Sequence, residues 1–272
     1  MNDIRKKQIE KGQDDFKYVP NKDTKAFQEV YPFATEAVSA YFSRLDLKDK
    51  SLLTVGSSLD QAFNALVLGV RNITVYDINK NVEAFYKIKR DFILNYSRKD
   101  LYEKITQVQD VPFSSDLHSY TSVVEMNNYL QSDENYELLR QRLQEDNIEF
   151  IRGDIFNCEE SLGDKKYDRI VLSNVLQYLD FFAGSSNPYH LLKETFLALD
   201  KHLNDEGILQ LLYLYSFQKS DLRKNNHAVS SYNLKNVVEC LNGYSLELEM
   251  FPSFTKQESN DAIVTYTKKR KR

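Results

Sequence analysis

The sequence predicts an α/β fold built on a mostly parallel, seven-stranded sheet that ends in a C-terminal antiparallel hairpin. An N-terminal helical arm and a helical insert elaborate it. Three observations lead there. Short apolar, strand-like runs alternate with runs of helical spacing between Leu52 and Tyr215. The first two strands flank a turn of small residues and a brief helix, which makes a βαβ unit. Two alternating stretches, Ser245–Phe251 and Ala262–Thr267, then close the chain as a hairpin.

Element by element, residues 1 to 21 are polar, and Thr24 to Leu45 carries Phe27, Val30, Phe33, Val38, Tyr41 and Phe42 at helical spacing. Pro32 interrupts that stretch, so it reads as two short helices or one kinked helix. Leu52 to Val55 is the first strand, Asp60 to Leu68 a helix stopped by Gly69, and Ile73 to Tyr76 the second strand. Asn79 to Asn95 is a helix with Val82, Phe85, Tyr86 and Ile93 along one stripe. About fifty residues, Ser97 to Asp146, then intervene where a connection of roughly 2–6 is usual. They read as helices at Lys99–Val108, Ser119–Leu130 and Asp133–Leu143, the last opened by Ser132 as a cap. Strands at Glu149–Ile151, Tyr167–Leu172 and Gly207–Tyr215 follow, with a long helix over Pro188–His202. Asn187 caps that helix and Pro188 takes its first position. Ser231 to Leu241 reads as a further helix. The expected division is an arm over residues 1–48 and an α/β domain over 49–272 that holds the insert at 97–146.

Composition narrows the function. Of 272 residues, 42% are hydrophobic, enough for a sizeable core, since a domain near this length buries roughly 75% of its unfolded surface. A net charge of −4 argues against general nucleic-acid binding, which depends on neutralising phosphates. Cys158 and Cys240 are the two cysteines, without a C-x-x-C, and the four histidines show no metal spacing, so metal chemistry is not expected. Neither a signal peptide nor a spanning segment is evident, and the expected location is the cytoplasm. The basic tail Lys268–Arg272 reads as a solvated end, with a nuclear signal, or a weak contact with an anionic membrane surface or RNA, as the minor alternatives.

The turn after the first strand, Gly56-Ser57-Ser58-Leu59-Asp60-Gln61, lets backbone approach a ligand. Asp77 ends the second strand 21 residues after Gly56, where a carboxylate can accept both hydroxyls of a ribose. The turn lacks G-x-G-x-x-G, so the dinucleotide fingerprint fails and a pyrophosphate is not the expected ligand; a nucleoside without phosphates, S-adenosylmethionine above all, fits better. Ile78 and Asn79 follow Asp77 and join the candidate site. Gly153-Asp154-Ile155 follows the third strand, where Asp154 can accept an adenine amine and Ile155 can cover the ring; the plainer role for Asp154 is to cap a short helix at Phe156. Ser173 and Asn174 follow the fourth strand, at the edge where such sheets bind ligands. Asp60 and Gln61 open a helix whose free N–H groups suit a carboxylate, while Asp60 suits an ammonium or sulfonium; a cap is its plainer role. The terminal hairpin adds weight to a methyltransferase-type fold over a dehydrogenase-type one. No residue stands out as a catalytic base.

The segments Tyr31-Pro32-Phe33-Ala34-Thr35-Glu36, Leu53 to Gln61 with Asn64-Ala65, and Tyr76-Asp77-Ile78-Asn79 resemble a bacterial family grouped with the S-adenosylmethionine:diacylglycerol 3-amino-3-carboxypropyltransferase of betaine-lipid synthesis. Ser58-Leu59-Asp60 matches that enzyme's Gly-Asp turn and Asp77-Ile78-Asn79 its Asp-x-Asn-Pro, with Lys80 in place of the proline. Its Glu-Leu-Lys run is met in part by Lys87-Ile88-Lys89. The resemblance implies S-adenosylmethionine binding and a small-molecule or lipid acceptor. It tips the expected reaction toward aminocarboxypropyl transfer, with methyl transfer and a non-catalytic nucleoside-binding module as alternatives.

Overall fold

A computed structural model describes residues 30–34, 36–108, 119–145, 147–173, 175, 179–183, 186–217, 239–252 and 260–270. Seven strands among them make one mixed sheet, as the sequence predicts. The chain divides into two compact units, with the change at Arg152 and Gly153.

The first unit holds three parallel strands in the order β3-β2-β1: β1 (Ser51–Val55), β2 (Asn72–Asp77) and β3 (Ile148–Arg152). β2 pairs with both neighbours, Leu52 opposite Ile73 and Val75 opposite Phe150. Leu52, Leu53, Ile73 and Val75 are fully buried, the near-continuous apolar run expected of a parallel strand covered on both faces. Each such side chain contributes roughly 1.5–3 kcal/mol. Among the described residues of the arm, those from Tyr31 to Ala37 are not helical and α1 (Val38–Phe42) follows them. Pro32 accounts for this, because it lacks an N–H and biases the residue before it to extended backbone.

α2 (Asp60–Val67) follows β1, and Gly69, at φ +83°, ends it in the left-handed conformation glycine favours. α3 (Asn81–Asn95) buries Val82, Phe85, Lys89 and Ile93 along one stripe. The described residues of the insert form α4 (Arg98–Val108), α5 (Tyr120–Met126), α6 (Asn128–Gln131) and α7 (Asp133–Arg142). Ser119 and Ser132 cap α5 and α7 by accepting from the N–H groups of Ser122 and Asn135. The helix expected over Ser119–Leu130 breaks at Asn127, which is extended and fully buried. Its side chain donates to the Val123 carbonyl and accepts from the Asn64 amide.

The second unit opens with a 3₁₀ turn over Ile155–Asn157 and α8 (Glu159–Leu162), then β4 (Tyr167–Val171), α9 (Leu179–Ala183) and α10 (Pro188–Lys201). Asn187 caps α10 through the N–H of Tyr189, with Pro188 at the first position. β5 (Leu203–Phe217), β6 (Leu246–Pro252) and β7 (Asn260–Thr267) complete the order β4-β5-β7-β6. β4 and β5 are parallel; β7 runs antiparallel to both β5 and β6, as the alternating stretches predict. Lys268 does not belong to a solvated tail. Its ammonium lies 3.0 Å from the Leu203 carbonyl and pairs with Asp200. Most of the helix expected over Ser231–Leu241 lies outside the described residues.

Candidate functional site

The turn from β1 into α2 is held in an unusual backbone shape. Ser57 and Leu59 have φ values of +41° and +69°, in the left-handed region that costs a non-glycine residue on the order of 1–3 kcal/mol. Asp77 holds one side of the turn. Its Oδ2 accepts from the N–H groups of Gly56 and Ser57, both at 3.0 Å, and its Oδ1 accepts from Asn79 N at 2.8 Å. Burial raises the Asp77 carboxyl above its usual value, although the backbone N–H groups of Asn79, Ser57, Gly56 and Ile78 oppose the rise. Gly56 is required here because a Cβ would run into Val82 Cγ1 and come within 2.9 Å of Asp77 Oδ2. The small residue therefore admits the protein's own acid and valine, whereas the sequence suggested room for a ligand.

Asp60 holds the other side. Its carboxylate is fully buried and fully bonded: Oδ1 accepts from Lys89 Nζ at 2.6 Å and from the Tyr129 hydroxyl at 2.7 Å. Oδ2 accepts from Ala34 N at 2.5 Å and from the Ser58 hydroxyl at 3.1 Å. These four bonds match the acceptor capacity of a carboxylate. Lys89, also with no exposure, gives its remaining protons to the carbonyls of Pro32, at 2.7 Å, and Ser58, at 2.9 Å. Its ammonium also lies 4.6 Å from the centre of the Phe33 ring. Burial lowers the Lys89 ammonium from its usual value, and Asp60 works against that. The Tyr129 hydroxyl is raised well above the usual phenol range, first by burial and then by the Asp60 charge.

The sequence-predicted residues thus fall into two groups in the first unit. Ser57, Asp77 and Ile78 are half-buried, while Ser58, Asp60, Gln61 and Asn79 are closed off. The Gln61 amide oxygen accepts from the Thr54 hydroxyl, and Asn79 Oδ1 accepts from Asn81 N. In the second unit Asp154 caps the 3₁₀ turn through Phe156 N at 3.0 Å, the plainer role expected for it. Ile155 and Ser173 are buried, and Asn174 lies outside the described residues.

Sequence reasoning missed Lys89 and Tyr129. Lys89 was readable in part, since it stands four residues after Phe85 and four before Ile93, on the apolar stripe of its helix. A lysine on that stripe must find partners or it would not be buried there.

No protein-family model matches the chain, and no curated protein is similar to it in sequence. The likeness to the aminocarboxypropyltransferase grouping therefore rests on the quoted motifs alone. Among solved structures the chain is similar to the glycopeptide N-methyltransferase MtfA, with 11% identity over 86% of this chain and 90% of that one and a TM-score of 0.51. The N-methyltransferase NodS from Bradyrhizobium japonicum WM9, in complex with S-adenosyl-L-homocysteine, aligns over 98% of this chain and 99% of its own with 13% identity and a TM-score of 0.47. The fold is the Rossmann-like one of S-adenosylmethionine-dependent methyltransferases.

Proposed function

We propose that the protein is an S-adenosylmethionine-dependent transferase that moves a methyl group to a small-molecule or lipid acceptor in the cytoplasm. One observation carries the reading. At the carboxyl edge of parallel strands, a half-buried acid closing β2 is bonded directly to the backbone of the turn closing β1, in a fold shared with such enzymes. The residues present fit the nucleoside. Asp77, Ser57 and Ile78 are half-buried rather than closed off, and no G-x-G-x-x-G turn competes for a pyrophosphate. Asp77 would hold the ribose hydroxyls, while Asp154, Ile155, Ser173 and Asn174 remain proposed contacts of the adenine and the amino acid end. The cofactor, when bound, supplies a methyl carbon already activated by its sulfonium. The chain's own part is to align the acceptor and keep water out.

Transfer of the 3-amino-3-carboxypropyl group is the second reading, favoured by the motif resemblance. Against it, the Asp60 carboxylate is paired with Lys89 and enclosed, so it has no acceptor to offer the amino acid end of a cofactor. Incubation with S-adenosylmethionine and a cell extract separates the two. Enzyme-dependent S-adenosylhomocysteine is expected; methylthioadenosine in its place would establish the second reading. Calorimetry should show S-adenosylhomocysteine binding that weakens by ~1.5–3 kcal/mol in Asp77→Ala. Tighter binding of a nicotinamide dinucleotide would overturn both readings.

A further inference from the structure

We infer that Lys89 is a positioning residue that sets the shape of the β1 turn and couples it to two distant segments, an inference that rests on the cofactor reading above. Ser58 lies between the two left-handed residues Ser57 and Leu59, and its carbonyl is one of the three acceptors of the Lys89 ammonium. Fixing that carbonyl fixes the peptide plane between Ser58 and Leu59, and with it the left-handed backbone at Leu59. The other two acceptors are the Asp60 carboxylate at the start of α2 and the Pro32 carbonyl. Asp60 in turn binds the Ala34 N–H and the Tyr129 hydroxyl of α6. A single ion pair, with neither side chain exposed, therefore joins the segment around Pro32, the turn and the insert.

Stability alone does not call for such a pair. An apolar pair of similar volume packs at no loss in many proteins, whereas an ion pair with every donor and acceptor matched imposes one geometry. The predicted consequence is that the turn binds its nucleoside well only when residues 32–34 and Tyr129 are seated.

Two variants test this. Asp60→Leu with Lys89→Met removes both charges, and Tyr129→Phe removes one hydroxyl. Calorimetry with S-adenosylhomocysteine, thermal melting and amide exchange of the apo proteins are measured on each. The double variant leaves the Ala34 N–H and the Ser58 and Tyr129 hydroxyls without their acceptor, so it is expected to melt below the parent while staying folded at the temperature of the titration. It should nevertheless bind at least about tenfold more weakly, and Tyr129→Phe about fivefold more weakly. A folded double variant with parental affinity overturns the inference. If that variant does not fold, parental affinity in Tyr129→Phe overturns it. Should the parent bind no S-adenosylhomocysteine, the cofactor reading fails, and amide exchange at Gly56 and Ser57 then decides the coupling. Faster exchange in Tyr129→Phe supports the coupling, and unchanged exchange removes it.

Discussion

Tyr129 brings a phenol to within 2.7 Å of an acid that already has an ammonium beside it, in a place without solvent. Burial and the Asp60 charge both favour the neutral phenol, so its folded pKa is raised well above 10.0. The folded protein then keeps a proton that the unfolded chain loses above about pH 10. Stability from this group is therefore complete below pH 10 and is lost as pH rises beyond it, at up to about 1.4 kcal/mol per pH unit. Tyr129→Phe should show a shallower alkaline loss than the parent when denaturant unfolding is followed from about pH 9 to pH 11. Equal slopes would mean the hydroxyl does not titrate as described. Lys89 teaches the limit of reading at this scale. In the sequence it belongs to Lys87-Ile88-Lys89 and looks like a solvated face; Lys87 is indeed exposed and pairs with Glu83 one turn back. What distinguishes Lys89 is a set of acceptors 57, 31 and 29 residues away, and no local pattern contains them.

Helix ends were the most legible elements, because capping is local chemistry. Ser132 and Asn187 were both expected as caps, and both accept the N–H two or three residues on. Ser132→Ala and Asn187→Ala should each cost about 1 kcal/mol, seen as a lower denaturant midpoint with an unchanged slope. A loss below a few tenths in either would show that the cap is replaced by water. The terminal hairpin was legible for a similar reason, since alternation along β6 and β7 is a period-two signal. The break at Asn127 was not. Residues 119 to 130 have helical spacing throughout, and the helix gives way because Asn127 bonds to Asn64, 63 residues earlier. The same holds for Pro32–Ala34, whose backbone partners are Lys89 and Asp60. Periodicity reports which face is buried, and long-range polar partners then decide where the backbone bends.

At the scale of the whole molecule, alternating β and α runs and the closing hairpin sufficed for the fold class. The two compact units change over at Arg152 and Gly153. Among the described residues no helix is long and apolar enough to cross a membrane. Net charge carries a further expectation. A chain at −4 has no excess of cations to displace counterions from a duplex. Fluorescence anisotropy with labelled duplex DNA at physiological salt should show no binding tighter than about 100 μM. Tighter, salt-sensitive binding would place nucleic acid among the acceptors.

The ion pair also bears on the order in which the chain can mature as it leaves the ribosome. Asp60 and Lys89 are 29 residues apart and become available early, but Tyr129 follows Asp60 by 69 residues. At a synthesis rate of about 5–20 residues per second, that interval lasts several seconds. Throughout it Asp60 lacks one donor and the turn lacks one of its restraints. A nascent chain halted before Tyr129 would therefore hold an incompletely restrained turn, and the insert is the part whose arrival supplies the last donor to Asp60.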